Sequence, residues 1–228
     1  MTSQDFTDTS GRPGTGSEGR AEILDAAAQS FMEYGFNGAT IDDVADRIRA
    51  TKGRVYHYYR SKIDLFLDVH LRAMGIMIEA VRPVAEGPGT PAERLHAMAL
   101  RHAHAIMENF AYQKVSIQGL EKPLISSRGA RPNAMIEKVV ALRDEYESLF
   151  AGVLEQGSAE GAFVEAPPRQ LSKPVLGALN WLTLWYRPEL SPTPETREAI
   201  ARNLADFVLR GALRRPDGKA DGKAGHAG

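Results

Sequence analysis

Apolar residues return every three or four positions along most of this chain and almost nowhere at every second one. Ile23, Ala27, Phe31 and Tyr34 share one helical face, and Gly35 ends that run in the manner of a C-cap. Thr40, with Asp43 three residues on, opens a short helix whose inner face is Ile41, Val44, Ala45 and Ile48. A third short helix starts near Thr51. A fourth starts at Ser61, again with an acid (Asp64) three residues on, and carries Ile63, Phe66, Val69 and Met77 toward Pro83. The turn at 87–91 is rich in Gly and Pro and marks a boundary. Thr90, Pro91 and Glu93 then supply an N-cap, an N1 proline and a capping box for a helix with Leu95, Met98, Ile106 and Phe110 in phase.

Pro123 and Gly129 interrupt the pattern. A long helix follows Pro132, with Ile136, Val139, Leu142, Tyr146, Leu149, Phe150 and Val153 in phase, closed by Gly157 and Gly161. Residues 168–187 and 193–213 read as a final helical pair separated by Pro188, Pro192 and Pro194. No window shows strand alternation with hairpin turns, so the pattern predicts an all-α chain of about nine helices. Residues 1–19 carry almost nothing to bury and are expected to form a disordered arm; residues 215–228 are expected to form a flexible tail.

Composition narrows the class. At 228 residues, 43% hydrophobic and 25% charged, the chain has the balance of a soluble globular protein. There is no cysteine, hence no disulfide framework and no thiolate metal site. No apolar run approaches the ~18 residues needed to cross a bilayer, and the polar N-terminus carries no signal-peptide core; a cytoplasmic location is expected. The formal net charge is only −1, yet residues 47–62 hold Arg47, Arg49, Lys52, Arg54, Arg60 and Lys62 with no acid among them. Tyr56, His57, Tyr58 and Tyr59 sit within this run. Cations beside phenol hydroxyls suit a phosphate backbone, although a charge run alone is equally compatible with a solvated face.

The spacing favours DNA. Helices at 40–48 and 51–58 joined by a couple of residues must cross steeply, which lets the second project into a major groove. Thr40 and Thr51 stand at helix N-termini, Gly53 permits close backbone approach, and Lys52 and Arg54 point outward. Val55 and Tyr59 fall on the opposite, inner face by their i, i+4 spacing.

With these residues in register, 20–66 resembles the DNA-binding domain of the TetR-type transcriptional regulators. The matches are Ile23 to Ala27, Phe31, Tyr34, Gly35, Thr40, Ile41, Val44, Ala45, Lys52, Gly53, Val55, Tyr56, Tyr58, Tyr59, Ser61, Lys62, Leu65 and Phe66. The resemblance implies a three-helix DNA-binding domain (20–66) and a larger ligand-binding and dimerisation domain (67–214). It also implies a homodimer on a palindromic double-stranded operator and a small molecule that releases it. It assigns phosphate contacts to Thr40, Tyr56, His57 and Lys62, and base contacts to the neighbourhood of Lys52, Gly53, Arg54 and Tyr56. Arg49, Thr51 and Tyr58 complete the candidate DNA face. Arg49 departs from the family, which commonly has glycine there; this questions the turn's dihedrals and adds a charge.

In the second domain, residues 177–188, with Asn180, Trp181, Trp185 and Pro188, resemble the branch that senses acyl-CoA and other CoA thioesters; Gly157, Gly161 and Phe163 fit the same branch. A hydrophobic drug or a free acid is the alternative effector. Trp181 and Trp185 share a helix face that reads as a dimer or core seam, and one of them can also line the ligand cavity; the two uses are not exclusive. Met74, Met77 and Met107 suit an adaptable pocket, with Phe110, Tyr146 and Phe150 as aromatic walls. Arg101, Lys114, Lys122, Arg128, Arg131 and Arg143 are cations available to an anionic ligand. Leu171, Leu184, Ile200, Leu204 and Phe207 are the candidate dimer residues in a four-helix bundle. His102 and His104, at i and i+2, point to different faces, and no metal-ligand spacing occurs; neither metal nor cofactor is expected. A helical enzyme and a helical interaction module are the rival classes. No catalytic constellation supports the first, and loss of DNA binding on mutating Lys52 and Arg54 would argue against the second.

Overall fold

The computed structural model describes residues 16–117, 134–190 and 193–214. Within them the chain is helical, with one isolated bridge between Phe163 and Leu213. The helices are α1 (Gly16–Gly38), α2 (Ile41–Arg47), α3 (Lys52–Tyr58), α4 (Lys62–Ala85), α5 (Pro91–Glu108) and α6 (Phe110–Ile117). They continue as α7 (Ala134–Ala159), α8 (Pro168–Asn180), α9 (Leu182–Trp185) and α10 (Pro194–Ala212), with a 3-10 turn at Pro188–Leu190. The expected arm loses residues 16–19, which open α1; the rest of the arm, the tail, and the breaks placed at Pro123, Gly129 and Pro192 lie outside the described residues.

The expected caps are present. Thr40 and Asp43, and Thr90 and Glu93, form complete capping boxes, and Ser61 accepts from the Asp64 amide. Gly35 sits at φ 68°, ψ 171° and breaks α1 one turn before its end. Two boundaries shift. α5 stops at Glu108 because Asn109 leaves helical dihedrals (φ −122°, ψ 41°), so Phe110 starts α6. The helix expected over 168–187 is interrupted at Trp181, where Leu184 N–H bonds to Trp181 O, tightening the ladder to i, i+3.

Two cores form. The first gathers Ile23, Ala27, Phe31, Val44, Val55, Leu65 and Phe66 from α1 to α4. Phe66 meets Phe31 edge-on at 5.1 Å and Phe36 at 4.6 Å. The second gathers Met77, Leu95, Met98, Ile106, Phe150, Leu154, Leu179 and Tyr186 from α4 to α10, with α10 lying along α5. The border between them runs through α4, between Val69 and Met74. Helix α6 crosses it, since Ala111 and Val115 bury in the first core while Phe110 meets Tyr186 edge-on at 5.5 Å.

After α7 the chain turns at Gly161 (φ 75°), and Phe163 folds back onto α7. A Cβ on Gly157 would stand 2.1 Å from the Phe163 ring, so only glycine admits this ring. The same segment is pinned to the end of α10 by Val164 N–H to Ala212 O (2.9 Å) and Arg214 N–H to Ala162 O (3.0 Å).

Candidate nucleic-acid interface and cavity

Helices α2 and α3 meet as the spacing requires. The connection is a Schellman turn: Arg49 N–H bonds to Asp46 O (3.0 Å) and Ala50 N–H to Ala45 O (2.9 Å). Its left-handed position belongs to Arg49, at φ 51°, the one non-glycine at positive φ among the described residues. The turn that glycine normally makes is therefore kept, at the steric cost of a Cβ in that region and with an exposed cation gained.

Val55 is fully buried and Tyr59 nearly so, and these two seat α3. Tyr59 Oη donates to Asp68 at 2.7 Å, and Arg20 reaches the same carboxylate at 2.7 Å, tying α1 and α4 to the end of α3. Arg49, Thr51, Lys52, Gly53, Tyr56 and His57 are exposed, while Arg54 and Tyr58 are half-buried. Thr51 caps α3 by position but makes no side-chain capping bond. The Tyr58 hydroxyl packs against Gly19 of α1, and its ring meets His57 edge-on at 5.1 Å.

Both cations of α3 are held by acids from neighbouring helices. Lys52 Nζ lies 2.9 Å from Asp42, and Arg54 Nη2 lies 2.5 Å from Glu22. Spacing within the basic run does not reveal these partners, because Glu22 and Asp42 lie outside it.

Two expected phosphate contacts have partners within the protein. Lys62 is committed inward, donating to Phe36 O (2.8 Å) and Ala39 O (2.9 Å) with its ammonium over the Phe36 ring. It closes the carbonyl end of α1, which commits two of its three N–H donors within the protein. Lys62→Gln is expected to cost about 2 kcal/mol in urea unfolding and to leave the salt dependence of DNA binding unchanged. Thr40 is exposed, but Asp43 engages both its amide (2.7 Å) and its hydroxyl (2.7 Å).

A cavity of about 460 Å³ lies between α4, α5, α6, α7 and α8. Met74, Met77 and Tyr146 line it as expected. Met107 and Phe150 are buried in the core beside it, and Phe110 faces a separate cleft toward α1. Trp181 and Trp185 do not line it. The break at Trp181 turns both outward, 61% and 44% exposed. With Leu184 and Phe207 (67% exposed) they belong to the exposed apolar surface. Leu171, Ile200 and Leu204 are partly buried beneath, against the second core. Both tryptophans therefore stand on the surface and outside this cavity.

The cavity's polar residues were not predicted as a group. His102 Nδ1 lies 2.7 Å from Tyr146 Oη, and Glu147 is held by Ser172 (2.8 Å) and Lys173 (2.6 Å). Those two partners keep Glu147 below the usual carboxylate range although burial alone would raise it. Arg143 donates to Ser116 O at 2.7 Å; burial lowers its pKa from the ordinary value. Of the other candidate cations, Lys122, Arg128 and Arg131 lie outside the described residues. No spacing rule links His102 to Tyr146 or to Asn180, so nothing local could reveal the set.

Two buried histidines set a pH dependence. Burial pushes His102 down to about 3 and His70 down to about 4, so both are neutral in the folded protein. In the unfolded chain they titrate near 6.5. Below that pH the unfolded state binds the additional protons, so stability falls as pH drops from about 6.5 to 5, by up to about 1.4 kcal/mol per pH unit per residue. Urea titrations across this window check it; His102→Phe is expected to flatten the slope.

Among the described residues, no helix is long and apolar enough to cross a membrane, and no cluster of His, Asp and Glu could hold a metal ion. Residues 23–69 match the family model for bacterial regulatory proteins of the tetR family, and residues 88–212 match that of a tetracyclin repressor-like C-terminal domain. The HTH-type transcriptional repressor KstR2 of Rhodococcus jostii (strain RHA1) is 28% identical over 213 residues, covering 92% of this chain and 97% of its own. The TetR family regulator PfmR from Thermus thermophilus superposes with a TM-score of 0.70 at 29% identity, over 84% of this chain and 99% of that one. AibR, solved with isovaleryl coenzyme A and operator DNA, shares the fold with a TM-score of 0.67 at 20% identity, over 86% of this chain and all (100%) of that one.

Proposed function

We infer, because this chain belongs to the tetR family of bacterial regulatory proteins, that it is a transcriptional repressor released from its operator by a small molecule. The observation that carries this reading is the outer face of α3. There Thr51, Lys52, Arg54, Tyr56 and His57 stand clear of the core while Val55 and Tyr59 anchor the helix behind them. One helix of this size fits a major groove. The exposed stripe of Trp181, Leu184 and Phe207 supports a homodimer, since a monomer rarely leaves such a patch uncovered. A dimer places two α3 helices on the halves of a palindrome, about 34–36 Å apart. Such a regulator works in the cytoplasm, where the DNA is.

The effector occupies the cavity between α4 and α8. It is an apolar acyl group with an anionic head, as a free acid or a CoA thioester, the latter being what AibR was solved with. Helix α6 carries the signal. Gln113 and Ser116 line the cavity, and Gln113 bonds to Ala73 O of α4 at 3.0 Å. One residue away Tyr112 donates to Asp25 of α1 at 2.7 Å, and Ala111 and Val115 are packed in the first core. A ligand that favours a different seat for α6 shifts α1 and α4, and with them the α3 separation, so operator affinity falls.

A mobility shift on the chain's own upstream DNA, challenged with acyl-CoA thioesters, the matching free acids and cationic drugs, tests both halves. No shift at low salt would sink the regulator reading. A shift that no saturating effector reverses would sink the release mechanism.

A further inference from the structure

Helix α3 is only seven residues long, so its grip on the rest of the protein is small. Val55 is its buried residue, and Tyr59 caps its C-terminus, where the chain leaves helical dihedrals (φ −130°, ψ 125°). The pairs made by Lys52 and Arg54 are exposed and weak. The back of α3 therefore rests on one apolar side chain and one phenol. An apolar contact has no direction, whereas a hydrogen bond does.

The phenol is fixed by a carboxylate of α4. Asp68 is 7% exposed, and its Oδ2 accepts from Tyr59 Oη at 2.7 Å, from Arg20 Nη2 at 2.7 Å and from Arg20 Nε at 3.1 Å. Arg20 Nε also lies 3.3 Å from Tyr59 Oη, and the guanidinium stands 5.8 Å from the centre of the Tyr59 ring. Side chains from α1, from the end of α3 and from α4 thus close on one oxygen. Burial, helped by the bond to Asp68, keeps the phenol protonated, so it donates. Bonds to a charged acceptor are roughly twice as strong as neutral ones. Lys62 ties α4 to the other end of α1, through Phe36 O and Ala39 O. The first two turns of α4 are in this way strapped to α1 at both ends, and Asp68 is where the strap reaches α3.

Non-specific DNA binding needs only cations near phosphates, but reading base edges needs side chains held at a fixed depth and angle. Thr51, Lys52, Tyr56 and His57 are exposed on the outer side of α3. Without the Tyr59 hydroxyl bond the charge of that side is unchanged, while its angle in a groove is no longer set.

We propose that Asp68 is a positioning residue for operator reading: by holding the Tyr59 hydroxyl it fixes the angle at which α3 enters the groove, and so sets the preference for operator over other DNA. The proposal rests on the regulator reading above and deepens it, since it places the action of α4 on α3 at one buried carboxylate.

Fluorescence anisotropy of the full chain tests it, with the duplex footprinted in its own upstream DNA and with a random-sequence duplex of the same length. Tyr59→Phe keeps the ring and its packing, and Asp68 stays paired with Arg20, so no buried charge is orphaned. Its operator affinity is expected to fall by about ten-fold or more, while random-duplex affinity stays within about two-fold of wild type and the salt slope is unchanged. Asp68→Asn keeps an acceptor but an uncharged one, so its selective loss is expected to be about three-fold or more and smaller than that of Tyr59→Phe. If Tyr59→Phe unfolds, Asp68→Asn decides by that same selective loss. A merely structural role would lower Tm without separating the two duplexes. Operator affinity within about two-fold of wild type, or an equal loss on both duplexes, would overturn the proposal. A wild type with no preference for its own upstream duplex would sink the regulator reading as well, whereas a wild-type preference that the variants retain sinks this proposal alone.

Discussion

Alanine at both Lys52 and Arg54 is expected to lower operator affinity by roughly 10²–10⁴-fold, the largest functional effect of any pair in the chain. In the free protein these cations are paired with Asp42 and Glu22. All four side chains are between 38% and 58% exposed, so the pairs are weak and DNA can displace them. The double variant removes both cations from the DNA face and also leaves two unneutralised carboxylates facing the phosphates, which adds repulsion. Fluorescence anisotropy between 50 and 200 mM salt reads both consequences, with the slope of log affinity falling by about 1 for each phosphate no longer neutralised. Affinity and slope equal to wild type would place recognition elsewhere. Asp42→Asn is expected to act in the opposite direction and tighten binding, because Lys52 is then freed.

Gly157→Ala is expected to give the largest structural effect of a single added methyl. The new Cβ would lie 2.1 Å from Phe163, far inside contact distance, and Phe163 is buried and pinned between α7 and the end of α10. Neither side can retreat cheaply, so overpacking should cost about 1–3 kcal/mol and lower Tm by about 2–12 °C. Differential scanning calorimetry checks this. Phe163→Leu in the same chain should recover part of the loss, a coupling that a double-mutant cycle isolates. A Gly157→Ala protein as stable as wild type would mean that the 161–164 turn does not hold Phe163 against α7.

What is legible in the sequence is whatever is decided within a few residues. The capping boxes at Thr40 and Thr90, the break at Gly35 and the inward turn of Val55 and Tyr59 depend on neighbours three or four positions away, and each lies where its spacing puts it. Arg49 shows the limit of a residue preference. The turn needs a left-handed position, and surrounding hydrogen bonds impose it on a residue that would not choose it. What is not legible depends on distant segments. Lys62 reads as a free cation until α1 supplies two carbonyls, and the spacing of Trp181 and Trp185 leaves seam and cavity both open until the tightened turn swings them outward. The cavity's polar lining joins α5, α7 and α8, segments with no shared periodicity.

Helix α4 spans 24 residues, about 36 Å at 1.5 Å per residue, with its first two turns in one core and the remainder in the other. A continuous helix of that length behaves as a lever. Tilting it by about 5° about the border near Val69 and Met74 moves its Lys62 end, which adjoins α3, by roughly 1 Å, using the same rise per residue. A displacement too small to alter the composition of either core is thus carried along one rod from the helices that line the cavity to the base of α3.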